Sequence, residues 1–173
     1  MAIAQDTFNT YRQVGYNGQV STIDVPDIIS GSMESLVEFG HAVTRANGAE
    51  RTFGVVDGDT TANDIVGFAV RTMASYSTTM PTNNPADYQF GYHEGEHASA
   101  IRRGRFYAFC PDGATAGSPV IVATTAGADY GVGQPTGAGT GVTLNQVKWI
   151  YDVAAGEIGE IQVDGILNVS TGA

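Results

Sequence analysis

A chain of 173 residues in which 42% are hydrophobic is long enough to bury a real core as a single globular domain. Only 15% of residues are charged, and 18 Asp and Glu against 8 Lys and Arg leave a net charge of −10. The summed field therefore repels phosphate backbones, which argues against nucleic acid as a partner, and no stretch approaches the ~18 apolar residues of a membrane span.

The start, MAIAQDTFNTYRQ, has neither a basic n-region nor an apolar run of signal-peptide length. Without alternation it reads as an extended arm over residues 1–15 of a protein made in the cytoplasm. Beyond it, apolar residues alternate with polar or small ones in eight short bursts: QVSTIDV (19–25), LVEFGHAVTR (36–45), TFGVV (52–56), DIVGFAVRT (64–72), RRGRFYAFC (102–110), SPVIVAT (118–124), NQVKWIYDV (145–153) and EIGEIQV (157–163). A period of two marks strands. Asn17-Gly18, Asn47-Gly48, Asp57-Gly58, Asp112-Gly113 and Asp164-Gly165 punctuate them with residues that tolerate positive φ and reverse the chain. The expected fold is mainly β, one domain over residues 1–173 with an antiparallel β-barrel or β-sandwich architecture.

The best helical candidate is DIISGSMESLVEF (27–39), weakened by Gly31 in its middle and by the strand-like alternation of Val37 and Phe39. Two segments read as long loops: residues 77–99, with two prolines and paired asparagines, and the glycine-rich residues 125–141. Loops of that length in a compact domain carry function or move. No linker divides the chain.

Within the first loop, His93 to His97 spell HEGEH, the H-E-x-x-H pattern of zinc metalloproteases, which places two histidines on successive turns of one helix. Gly91 and Gly95 oppose a helix here, each by ~1 kcal/mol relative to alanine, and no apolar stripe of period 3.6 supports one. In an extended chain the two histidines stand ~13 Å apart, whereas two nitrogens on one zinc are separated by no more than ~4 Å. The other histidine, His41, lies on a predicted strand without a companion ligand. An exposed polar loop is the simpler reading, and no metal or cofactor is expected.

Other catalytic patterns also fail. GVGQPTG and GAGTGV miss the dinucleotide-binding spacing. DGDTTAND, with Asp57, Asp59 and Asp64, lacks the glycine and glutamate of an EF-hand register. No nucleophile elbow is present. The single cysteine, Cys110, forms no internal disulfide and reads as a buried free thiol, as suits a reducing compartment.

The most informative segment is IRRGRFYAFCPDG, where Arg102, Arg103 and Arg105 fall within four positions. As a strand it puts Phe106, Ala108 and Cys110 on one face and Arg103, Arg105, Tyr107 and Phe109 on the other. The first is a core face. The second has the composition of a protein interface, or is an ordinary strand end with its arginines in solvent and its aromatics in a second core layer. In an acidic molecule such a basic strand also suits an acidic patch on an identical neighbour.

AIRRGRFYAFCPDGATAGSPVIVAT resembles the central signature of the structural cement, or head decoration, proteins of tailed bacteriophages, through Arg103-Gly104-Arg105-Phe106 and Gly117-Ser118-Pro119-Val120. The similarity continues upstream through Phe39, Gly40, Ala42 and Val43, and through Val66 to Arg71. It continues downstream through Trp149, Ala154, Ala155, Gly156, Ile161 and Val163, so that it spans roughly Tyr16 to Gly165. The resemblance implies a β-rich, non-enzymatic protein on the outer capsid surface, bound to the major capsid protein and often trimeric, with no catalytic residues. The long 77–99 loop departs from the family pattern. Other classes consistent with the residues are a fibre base or host-surface binder and, through HEGEH, a zinc hydrolase.

Overall fold

The computed structural model describes residues 15–21, 25–46, 51–72, 91–127 and 131–164. They form eleven strands: β1 (Asp27–Met33), β2 (Val37–Glu38), β3 (Ala42–Arg45), β4 (Thr52–Val55), β5 (Ile65–Ala69), β6 (Gly91–Tyr92), β7 (His97–Cys110), β8 (Pro119–Ala123), β9 (Pro135–Thr136), β10 (Gly141–Trp149) and β11 (Glu157–Val163). Nine of them make one sheet in the order β1-β4-β3-β5-β7-β11-β10-β8-β9, and β1 pairs back onto β7, so five strands close into a barrel-like ring. The short β2–β6 pair stands apart. The mainly β expectation holds, and among the described residues no helix is long and apolar enough to cross a membrane. The pairings are antiparallel except β1 with β4.

The fourteen-residue β7 is the shared spine. Its first half pairs with β1 and β5, and its second half pairs with β11 from Gly104 to Cys110. The halves are joined by a β-bulge: Ile28 faces Ile101 and Asp27 faces Arg103, leaving Arg102 as the extra residue. An extra residue exchanges the two faces of a strand downstream of it. Ala98 and Ala100 accordingly enter one apolar cluster with Met33, Phe53, Val66 and Tyr92, while Ile101, Phe106, Ala108 and Cys110 enter another with Phe68, Val147, Trp149 and Ile161. Gly104, at φ 122°, supplies the positive φ that follows the bulge and that a residue with a Cβ adopts only under strain.

The two clusters sit on either side of the ring wall. β5 is buried along its whole length because one face lines the ring and the other packs on the β8–β10–β11 layer. Phe68 and Phe106 meet on the second-layer side of that wall with ring centroids 4.9 Å apart. The β2–β6 pair adds Val37 and Tyr92 to the cluster that holds Met33 and Phe53, with Phe39 edge-on to Tyr92 at 5.2 Å and the Tyr92 hydroxyl donating to the Val70 carbonyl at 2.6 Å.

Several expected boundaries move. The helical candidate at 27–39 is β1, a bend and β2, since Ile29, Gly31 and Met33 alternate inward, the first two facing partners on β7 and Met33 facing Phe53 on β4. The 36–45 strand breaks into β2 and β3 at a turn on Phe39–Gly40. Residues 91–99 of the expected 77–99 loop are instead β6, a turn and the start of β7, and 77–90 lie outside the described residues. In the expected 125–141 loop, Pro135 and Thr136 add β9 beside β8, and Gly141 opens β10. Val20 bridges Phe106 within the expected 19–25 strand, of which 22–24 lie outside the described residues, as does the arm up to residue 14. The strand expected at 145–153 runs earlier, from Gly141 to Trp149.

Phe106 is fully buried between the layers. Phe106→Ala is expected to cost about 3–5 kcal/mol of folding stability, read as a lowered urea midpoint; a loss below about 1 kcal/mol would show that the two layers do not depend on it.

Candidate functional site

The bulge decides what the arginines of β7 do. Arg102 turns onto Asp27, its Nε and Nη2 donating to Oδ2 at 3.0 and 2.7 Å. Arg103 and Arg105, turned away from the apolar cluster, share the outer face with Tyr107 and Phe109, as the alternation predicts. Opposite them on β11 stand Gln162 beside Arg105, Glu160 beside Tyr107 and Ile158 beside Phe109. Arg103, Arg105, Gly104, Gln162, Val163, Asp164 and Val25 line an open groove of about 540 Å³.

The four expected interface residues are not equally accessible. Arg103 is exposed, and Arg105, Tyr107 and Phe109 are half-buried. Residues 15–21 lie along this edge of β7 like a short added strand. The Gly18 amide donates to the Tyr107 carbonyl, the Tyr107 amide to Gln19 and the Ser21 amide to Arg105, while the Phe109 amide donates to Asn17 Oδ1 at 3.0 Å. Gly15 packs so closely on the Tyr107 ring that a Cβ there would overlap it. Ser21 Oγ donates to Glu160 at 2.5 Å, and Arg71, with its guanidinium 4.8 Å over the Tyr16 ring, anchors the same segment from the other side. The aromatics of the face are therefore partly spent on holding this segment, and the groove beside the arginines is the more open part. Asp27, Gln162 and Asp164 escape a sequence reading because nothing local places them beside residues 102–105.

HEGEH is a turn between strands. The Glu96 amide donates to the His93 carbonyl, Gly95 sits at φ 79°, and Glu96 Oε2 accepts from the His93 amide at 2.9 Å. His97 already begins β7. The histidines thus lack the helix that a zinc site of this pattern requires, and among the described residues no group of three or more His, Cys, Asp or Glu is placed to hold a metal. DGDTTAND closes on itself: Asp57 Oδ1 accepts from the Asp59 amide and the Thr60 hydroxyl, and Asp64 Oδ2 accepts from the Thr61 amide and hydroxyl. Those bonds from Thr61 hold the Asp64 carboxyl below its usual range. Cys110 is buried, as expected, and burial pushes its thiol up, which makes it a poor nucleophile.

A family model described as "Structural cement protein (E217 gp24/Pam3 gp6)" matches residues 4–164, nearly the whole chain. The chain belongs to the structural cement protein family. A structural cement protein is a component of the phage virion, associated with its capsid, so the groove and the β7 face belong to a structural protein. Among solved structures, a chain in "The capsid of Myoviridae Phage XM1" superposes with a TM-score of 0.66 at 17% identity, covering 96% of this cement protein and 100% of that chain. That likeness shows a shared fold. The head fiber gp8.5 N base of bacteriophage phi29 gives a TM-score of 0.42 at 9% identity over 83% of this chain and 98% of that one. No curated protein matches the cement protein's sequence.

A histidine is also built into the interior. His41 is only 4% exposed; its Nδ1 lies 3.2 Å from the Val132 carbonyl, to which it donates, and its Nε2 stands 3.7 Å from a Glu38 carboxylate oxygen. Burial lowers its pKa, outweighing the raising effects of Glu38 and of hydrogen bonds with Gln134 and Val132. The unfolded chain then takes up a proton near pH 6.5 that the folded chain refuses, so stability falls as pH drops below that value. Urea midpoints are expected to decline from pH 7 to pH 5, and His41→Asn to flatten that decline; an unchanged slope would remove His41 as its source.

Proposed function

We propose that this chain is a non-enzymatic protein of the outer capsid surface that binds major capsid protein subunits and cements the seams between them, after synthesis in the host cytoplasm. The observation that carries this reading is the family match over residues 4–164. The β7 strand supports it, because Arg103, Arg105, Tyr107 and Phe109 place aromatic and guanidinium groups on one outer face of an otherwise acidic chain. A cement protein acts by making seam opening expose additional interface. A contact of standard size buries ~1,600 Å² in total, and a homotrimer that engages several seams at once gains further through effective concentration. We take the self-association to be trimeric and extend the reach of each copy to the arm at 1–15 and the segment at 77–90.

The direct test is the protein content of purified virions. The protein is expected at high copy number, at fixed symmetry positions on the outside of the head in an electron-microscopic reconstruction. Virions that lack it would overturn the reading. Arg103→Glu is expected to lower head occupancy while leaving the unfolding free energy from urea titration within about 0.5 kcal/mol of the parent, as for an exposed substitution; full occupancy would remove Arg103 from the interface. Deletion of residues 1–11 should likewise preserve the fold and weaken attachment, and heads filled to the parent level by the truncated protein would exclude the arm from binding.

A further inference from the structure

Two arginines, Arg103 and Arg105, line the groove beside the β7 bulge. Arg102 is neutralised by Asp27, but neither Arg103 nor Arg105 forms an ion pair among the described residues. Asp164, the carboxylate among the lining residues, accepts instead from Gln162 Nε2. The Nε of Arg105 is buried and has no hydrogen-bond partner. A donor removed from water and left without an acceptor is a standing cost to the fold, recovered only when something brings an acceptor to it. Directly across from Arg105 on β11 is Gln162, and the carboxylates two residues to either side are engaged elsewhere, Glu160 by the Ser21 hydroxyl and Asp164 by Gln162.

We propose that this groove receives carboxylate side chains from an acidic segment of a neighbouring capsid subunit, with Arg105 and Arg103 as the paired cationic donors. This rests on the capsid-binding reading for the identity of its partner. A planar carboxylate matches the guanidinium fork, which donates two parallel hydrogen bonds. The groove, at about 540 Å³, has room for several side chains, far more than one small inorganic anion occupies. Val25 at its rim is 93% exposed and offers an apolar surface to the aliphatic part of a glutamate or to a flanking residue. Gly104, at φ 122°, contributes only backbone to the groove wall between the two arginines. Because the chain carries a net charge of −10, an extended polyanion meets repulsion along its length, while a short acidic segment seated between the arginines has them within a Debye length and the remoter negative charges screened by salt.

The test uses the free full-length protein and a blocked peptide of alternating glycine and glutamate, with the glycine–glutamine peptide and sodium sulfate as controls at matched ionic strength. In amide and arginine Nε–H nuclear magnetic resonance spectra, the glutamate peptide is expected to shift Gly104, Gln162 and the Arg105 Nε–H saturably. The glutamine peptide should bind about tenfold more weakly, the effect of one charge-assisted hydrogen bond. Arg103→Gln and Arg105→Gln should each reduce affinity for the glutamate peptide by a similar factor with unchanged urea midpoints. The proposal is overturned by unmoved groove signals, by equal affinity for both peptides, or by sulfate binding there as tightly as the glutamate peptide, which would mark a simple anion site. If the peptide fails to bind while virions still carry the protein at full copy number, the groove proposal falls and the capsid reading stands. If the peptide binds but virions lack the protein, the carboxylate site stands and the capsid partner falls.

Discussion

The bulge at Arg102 is the constraint on which the rest of the molecule turns. Counted without that extra residue, Arg103 and Arg105 would follow Ile101 into the apolar cluster around Trp149 and Phe68, where an unpaired guanidinium is several kilocalories per mole too costly to sustain. With it, the arginines turn outward, Phe106, Ala108 and Cys110 turn inward, and one strand serves both the closed ring and the second layer. The Arg102–Asp27 pair sits at the bulge itself, bridging β7 and β1 where their ladder slips. One backbone irregularity therefore positions the core and the basic groove together.

Closure of the ring has a second consequence. When β1 pairs back onto β7, five strands have neighbours on both sides, and the open row of backbone donors and acceptors that invites edge-to-edge association is removed there. Along the second half of β7, residues 15–21 occupy the edge not taken by β11. Around the ring and along β7 contacts are thus left to side chains and grooves, while β9 remains an end strand of the second layer among the described residues. The molecule's acidic surface also opposes non-specific self-association.

The same architecture, present in a chain of the phage XM1 capsid at only 17% identity, shows how little of the sequence the fold demands. Many tight backbone approaches have to be met by small residues, such as Gly67 against the Ile101 carbonyl, and the ring wall needs β5 apolar on both faces. Outer-face residues are free of those demands. Arg103, Gln162 and Asp164 lie among them, so these positions can vary while the scaffold stays the same.

Period-two alternation is a property of adjacent residues, so the local residue pattern was enough for the β class, most of the strands, and the inward Phe106, Ala108 and Cys110 against the outward Arg103, Arg105, Tyr107 and Phe109. The glycines of the sequence also ruled HEGEH out as a helical zinc site, and the order of its motifs carried the family resemblance. The strand at 27–33 and the start of β7 at 97–101 were obscured, because serine, glycine and histidine break the alternation locally and their pairing partners lie about seventy residues away in sequence. Tertiary structure alone decided that β1 closes the ring, that the bulge exchanges the faces of β7, and that Gln162, Asp164 and Val25 gather around two unpaired arginines. The physical reason is that register and bulges are settled by cross-strand hydrogen bonds between distant segments, which leave no trace in the local pattern of either strand.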